Sequence, residues 1–411
     1  MSLGKIAKEF SFVRGNLLVL LASWTLMSFA SSVPDTYYSL YVLALGGTEV
    51  IIGIIGFTSF LILAFIQFPG GYLADKHGRR WLIVAMTFGV ALTYVIYAVA
   101  QSWFFILVAA ILQNIFLIYQ PALTAMAADS IPPRRRGVGF SLQTMLNNLA
   151  GLLGPTVAGV LYASVGLILA MRVGYTVAFA FFIVAAVLRT RLQETLKDKA
   201  RRPKAFEILG SYPRAVKESV EVWRCLPKAA LILFLVSSFL QFFALMCSPF
   251  LVVYATKVLN IDGVHWAMIL ALIVAMRLVS ALPIGKIVDR CGRRIPLVLS
   301  LLLLSPSALL FIVGDFARLL VFSLLFGVGN SMFGIAQQSL QADLVPREHR
   351  GKAIGCIQFA SYILSGLGQL VGGVLYRYSS PQAPFLIFSV AAVSLAAIAV
   401  VFIREPQKRE E

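Results

Sequence analysis

Gly71-Tyr72-Leu73-Ala74-Asp75-Lys76-His77-Gly78-Arg79-Arg80 decides the reading of this chain, because it occurs twice. Its second copy is Gly285-Lys286-Ile287-Val288-Asp289-Arg290-Cys291-Gly292-Arg293-Arg294, and the copies begin 285 − 71 = 214 positions apart. Each lies between long apolar runs. So dense a cluster of charge cannot sit in hydrocarbon, so each copy is expected as a tight loop at a membrane face. Gly71 and Gly78 allow close backbone approach and positive φ there, with Gly285 and Gly292 as their counterparts. Two further segments keep the offset. Ala128-Asp129-Ser130-Ile131-Pro132 recurs as Ala342-Asp343-Leu344-Val345-Pro346, and Gly159-Val160-Leu161-Tyr162 recurs as Gly373-Val374-Leu375-Tyr376. An offset held without a gap from Gly71 to Tyr162 marks a duplicated half.

Composition fixes the solvent. Of 411 residues, 59% are hydrophobic and 13% charged, against about a quarter charged in soluble domains, and this makes the chain an integral membrane protein. The formal charge of +17 does not signal nucleic acid, because the basic residues sit in turns between apolar runs. Cys225, Cys247, Cys291 and Cys356 have neither metal spacing nor the look of a disulfide framework. The N-terminus runs into an apolar stretch too long for a signal peptide core, so that stretch is read as the first span.

A spanning helix needs about 20 mostly apolar residues. Spans are expected near 16–45, 50–73, 81–100, 103–128, 138–163 and 168–188, and again near 229–256, 264–288, 296–313, 318–342, 352–377 and 382–403. The fold is therefore all-α, with twelve transmembrane helices in two six-helix halves, 1–188 and 229–411. The segment 189–228 is a linker, in which Val216, Val220 and Trp223 follow the spacing of an amphipathic helix lying on the membrane. Loops on the N-terminal side hold 30 of the 35 basic residues; Arg172, Lys257, Arg318 and Arg377 lie opposite and Arg277 inside a span. The positive-inside rule then places both termini in the cytoplasm of a multi-pass protein of the cell membrane.

The duplicated pattern G-x-x-x-D-[RK]-x-G-R-R resembles the signature loop of the major facilitator superfamily, over the whole chain and in register in both halves. The resemblance implies a secondary transporter with alternating access and a pseudo-two-fold axis along the membrane normal. It also implies a latch. Asp75 would face the start of span eleven near Gly351 and Arg79 would pair with Asp129, while Asp289 would face Gly137 and Arg293 would pair with Asp343. A carboxylate is favoured at a helix N-terminus, and such contacts would hold the cytoplasmic side closed. Gly151, Gly154, Pro155 and Gly159 in span five are similar to the glycine-proline motif of the antiporter branch, with Ala150 and Ala158 replacing two glycines. Ala110 stands where many drug–proton antiporters carry an arginine.

Polar residues recur at helical spacing in several spans: Gln113 and Gln120 in the fourth, Asn147 in the fifth, Asn330 and Gln337 in the tenth, Gln358, Tyr362 and Gln369 in the eleventh. Stripes of this kind line a cavity or bond neighbouring helices, and their presence in both halves favours one central substrate path. Tyr37, Tyr38, Tyr41, Phe242 and Phe243 are candidates for an aromatic wall. Two formal charges lie well inside the hydrocarbon, Asp35 and Arg277, where a charge costs from about 2.5 kcal/mol upward. They either pair with each other or act separately, Asp35 as proton carrier and Arg277 as a substrate contact.

The expected function is proton-coupled export of small amphipathic or organic molecules. The alternative is uptake or exchange of a small organic anion held by Arg277. An intramembrane enzyme or receptor is remote, since no nucleophile–base or metal constellation is present. The partners implied are a small-molecule substrate and membrane lipids, without nucleic acid and in a monomer. No cofactor is expected, the proton gradient supplying the energy.

Overall fold

The computed structural model describes residues 12–132, 135–195, 227–344 and 350–403. Among them the chain is helical without a strand, and twelve helical stretches are long and apolar enough to cross a membrane. The first half comprises Asn16–Asp35 continued by Tyr38–Ala44, then Glu49–His77, then Arg79–Ala98. Span four runs through Trp103–Phe116, Leu117–Tyr119 and Gln120–Ser130, and Arg136–Val165 and Leu167–Arg189 complete the half. The second half opens with Lys228–Cys247, Ser248–Phe250 and Leu251–Lys257. Gly263–Cys291, Arg294–Ile312, Phe316–Leu344, Arg350–Tyr378 and Ala383–Phe402 follow as spans eight to twelve. The face carrying both signature stretches is called the basic face here.

The duplication is visible in backbone detail. Thr48 and Asp262, 262 − 48 = 214 apart, cap spans two and eight. Thr48 accepts from the Ile51 N–H at 3.4 Å and Asp262 from the Val264 N–H at 3.0 Å, satisfying donors that a helix start leaves open. The signature stretches are more helical than their charge implies. Span two stays helical through His77, Gly78 alone breaks it with φ 89°, and span three starts at Arg79. In the second half Gly292, with φ 84°, and Arg293 separate span eight from Arg294. The expected loop thus shrinks to one or two residues around a conformation that only glycine adopts without strain, and Gly71 and Gly285 lie inside helices.

Both halves also break their first helix at one height. Thr36 and Tyr37 interrupt span one beside Pro34, and Ser248–Phe250, containing Pro249, interrupts span seven. Proline removes a ladder hydrogen bond, which is why the breaks fall there. Span four bends at Leu117–Tyr119 ahead of Pro121, whereas span ten runs unbroken.

The halves meet through small residues. Spans two and eleven approach so closely that a Cβ on Gly53 would lie 2.7 Å from the Gln369 carbonyl oxygen, and one on Gly373 would lie 2.6 Å from that of Glu49. Spans five and eight meet where Gly159 faces Ala267. Away from the basic face the Tyr37 hydroxyl donates to the Gly263 carbonyl at 2.6 Å, and Arg377 reaches Glu49 at 3.5 Å. Among the described residues these contacts join the halves at the face opposite the basic one.

The expected linker helix around Val216, Val220 and Trp223 lies outside the described residues. The start of the linker is described and folds back onto the first half. Asn16 and Gln193 exchange two hydrogen bonds of 2.8 and 2.7 Å, and the Arg80 N–H donates to the Glu194 carboxylate at 3.0 Å.

Candidate functional site

A chamber of about 430 Å³ lies between the halves, walled by spans one, two, three, four, seven, eight and eleven. Its position follows from the two helix breaks, since Asp35 and Thr36 line it from one half and Ser248 and Pro249 from the other. Asp35 ends the first helical segment, and its side chain is exposed to this chamber. Among the described residues no cation pairs with it at salt-bridge distance. Gln113 accepts from the Tyr97 hydroxyl at 3.2 Å, and Tyr97 in turn stacks on Tyr175 with centroids 4.9 Å apart. Gln369 enters from span eleven across the bare backbone of Gly56. The sequence did not single out Trp266, although it is the most telling wall residue. It is 1% exposed, and its indole N–H is buried without an acceptor. The chamber therefore offers one carboxylate, several amide and hydroxyl groups and an aromatic wall.

A second chamber of about 280 Å³ lies wholly within the C-terminal half. Arg277, the central residue of the 29-residue eighth span, lines it with Asn330 and Gln241, against phenylalanines of spans nine, ten and twelve. Asp35 and Arg277 therefore occupy different chambers and form no ion pair.

Of the polar residues singled out in the sequence, Gln113 and Gln369 line the first chamber with Asp35, Asn330 lines the second with Arg277, and Gln120, Asn147, Gln337, Gln358 and Tyr362 line neither. Gln358 donates to the Tyr362 hydroxyl at 3.0 Å along one face of its helix, and the Asn147 side-chain oxygen is buried without a partner. Of the aromatic candidates only Tyr38 reaches the first chamber. Tyr37 is spent on Gly263, Tyr41 donates to the Tyr97 carbonyl at 3.1 Å, Phe242 packs on Gly368, and Phe243 lines a separate apolar cleft with span twelve. Helical spacing gives the face of a residue but not the neighbour that face meets.

At the basic face Arg79 lies 2.5 Å from Asp129, and Arg293 lies 2.5 Å from Asp343. Both pairs sit within one half, joining the start of span three to span four and of span nine to span ten. Asp289 is exposed and its side chain makes no ion pair with a described residue, while the side chains at the start of span five, where its expected contact falls, lie outside the described residues. The side chains of Gly71, Asp75, Gly137 and Gly351 lie outside the described residues. In span five, Gly154 passes directly over Ser32 and lets spans one and five touch, Pro155 is buried, and Gly151 faces open space.

One charge was misplaced by the sequence. Arg189, expected in a basic-side loop, is the last residue of span six and is 0% exposed. Its Nε donates to Ser23 Oγ at 3.1 Å and its Nη1 to Thr87 Oγ1 at 2.7 Å, and its guanidinium lies 5.4 Å from the Tyr119 ring centroid.

The Major Facilitator Superfamily model matches residues 15–278 and 235–411. The multidrug resistance protein MdtG of Enterobacter lignolyticus (strain SCF1) is 26% identical over 393 residues, covering 92% of this chain and 90% of its own length. MdtG of Escherichia coli (strain K12 / DH10B) is 26% identical over 388 residues, with 90% of each covered. Among solved structures, the nucleoside transporter NupG superposes with a TM-score of 0.73 at 17% identity, over 95% of this chain and 100% of its own. A bacterial homologue of the human lysosomal transporter Spinster, inward-facing and occupied, gives 0.74 at 16% identity over 96% and 98%. At such identities the structures speak for the fold alone. With the family match spanning both halves, this chain belongs to the Major Facilitator Superfamily and is a membrane transporter, not an enzyme.

Proposed function

We propose that this transporter exports small amphipathic organic molecules in exchange for protons, by alternating access to the chamber between its halves, with Asp35 as proton carrier. The observation that carries the reading is the placement of Asp35. It is a carboxyl at a helix break, open to a chamber that both halves build and without a cation partner among the described residues. A carboxylate at the negative end of a helix needs water or an approaching cation to stay charged, so its charge follows the state of the chamber. Similarity to MdtG, named a multidrug resistance protein, supports export of organic molecules.

The excess of Lys and Arg on the basic face supports its placement in the cytoplasm of the cell. In that orientation the Tyr37–Gly263 and Glu49–Arg377 contacts close the outer side, and the exposed Asp289 carboxylate, without an ion-pair partner among the described residues, fits a released cytoplasmic latch. Gly71, Asp75, Gly78 and Arg79, with Gly285, Asp289, Gly292 and Arg293, are the moving parts of that latch. The working unit in this reading is a monomer of two halves, 1–188 and 229–411, joined by the linker. Uptake of an organic anion ranks second, because Arg277 stands outside the shared chamber.

The test is transport by purified protein in proteoliposomes under an imposed pH gradient. Asp35→Asn should abolish gradient-driven accumulation while exchange of substrate without a gradient persists. Coupling that survives the substitution would move the proton path elsewhere.

A further inference from the structure

We propose that the chamber inside the C-terminal half is a separate binding site for compact aromatic carboxylates, with Arg277 holding the carboxylate and the phenylalanine wall holding the ring. This goes beyond the exporter reading and does not depend on it, because binding here is independent of proton coupling.

The chemistry follows from what the chamber contains. Arg277 is at the centre of a membrane-crossing helix, where an unneutralised charge is costly and is retained for a purpose. No described acidic side chain pairs with it at salt-bridge distance. Its planar fork of N–H donors matches a carboxylate two bonds at a time, which an isolated amide cannot do. Asn330 already spends one N–H on the Phe326 carbonyl at 2.9 Å and keeps a second for a ligand oxygen. The apolar wall presents Phe326 and Phe333, which are part-buried, with Phe311, Phe322, Phe385 and Phe388 packed behind them. Phe326 lies 5.1 Å from Phe322 between centroids, in a tilted contact that leaves part of its own ring for a further flat ring. At about 280 Å³ the chamber falls just under the roughly 300–1,000 Å³ typical of drug-sized ligand sites, so it selects a small acid.

The site is placed to matter. Ser248 and Leu251, at the break of span seven, line both chambers, so this one turn is the partition between the Asp35 and Arg277 compartments. A ligand in the second chamber bears on the same backbone turn that walls the first.

The test uses the full chain purified in detergent, with 1-naphthaleneacetate, its neutral amide, and a naphthylmethyl-trimethylammonium salt as probes in calorimetric titrations. The acid should bind at least tenfold more tightly than the amide or the cation. Arg277→Gln should erase that preference, and Arg277→Lys should keep only part of it. Ala308→Leu, which fills the chamber without touching charge, should weaken the acid at least tenfold. Asp35→Asn should leave acid binding unchanged. Thermal unfolding checks each variant, and if Arg277→Gln fails to fold, Arg277→Lys and Ala308→Leu decide. Equal binding of acid and amide, unchanged affinity in the Arg277 or Ala308 variants, or a loss in Asp35→Asn would each overturn the proposal. The last outcome would place the acid in the central chamber and leave the exporter reading standing.

Discussion

Tyr37 of span one donates its phenolic O–H to the backbone carbonyl of Gly263, the first residue of span eight, at 2.6 Å. The bond crosses from one half to the other where Tyr37 is 1% exposed, and Tyr162 packs on the same glycine. A buried bond of this kind contributes on the order of 1–2 kcal/mol to whichever state contains it. Tyr37→Phe removes the bond and keeps the ring, so the balance between conformers should move roughly 5–30-fold towards the state open at this face. Spin labels at the ends of spans one and eight should report a longer distance distribution. An unchanged distribution would show that the glycine packing of spans two and eleven alone sets the closure.

The two basic-face pairs share a length of 2.5 Å but not a setting. The Asp129 side chain is 47% exposed and that of Asp343 only 12%, against 11% and 18% for their arginines. Exposed pairs contribute about 0–1 kcal/mol, whereas removing one member of a buried pair leaves a charge that water does not reach, and here that charge is the carboxylate. Arg293→Gln should therefore cost about 2 kcal/mol more in unfolding free energy than Arg79→Gln. Equal costs in denaturant titrations of the purified variants would mean that water reaches Asp343 freely.

The twelve spans, the duplication and the glycine breaks were legible in the sequence, because each rests on a local rule: apolar length, a fixed offset, a conformation reserved for glycine. The compartments were not. Asn330 and Gln369 both read as polar residues on an inner stripe, but they lie on opposite sides of the turn at Ser248–Phe250. Only the packing of span seven against its neighbours decides which side each one faces. Arg189 was missed for a similar reason. A cation after a long apolar run looks like a flanking charge, and nothing local shows that it turns inward to Ser23 and Thr87. Trp266 carries no signal at all, since a tryptophan in an apolar run reads as core.

That tryptophan makes a reporter. With Trp24, Trp81, Trp103 and Trp223 replaced by phenylalanine, emission would come from Trp266 at the chamber wall alone. A transported compound entering the chamber should change its intensity and shift its maximum. The indole N–H is shut away from the chamber, so Trp266→Phe should weaken acceptor-bearing and apolar compounds alike, through lost ring contact. A loss confined to compounds bearing a hydrogen-bond acceptor would show that the N–H turns into the chamber during transport.

Arg189 gives a prediction against intuition. Among the described residues it is buried with two hydroxyls and a tyrosine ring but no carboxylate, and its Nη2 has no partner. A guanidinium taken out of water without a counter-charge is expensive, and two neutral hydrogen bonds offset only part of that. The hydroxyls do not need it. Ser23 Oγ donates to the Leu20 carbonyl at 3.0 Å and Thr87 Oγ1 to that of Ile83 at 2.5 Å, so both stay bonded when the arginine leaves. Arg189→Met, close in volume and apolar, should therefore be at least as stable as the parent protein in thermal unfolding. Arg189→Ala should lose about 2–4 kcal/mol, because it opens a cavity where spans one, three, four and six meet. If methionine costs as much as alanine, the charge itself holds the helices together, and an anion reaches Nη2 in the working protein.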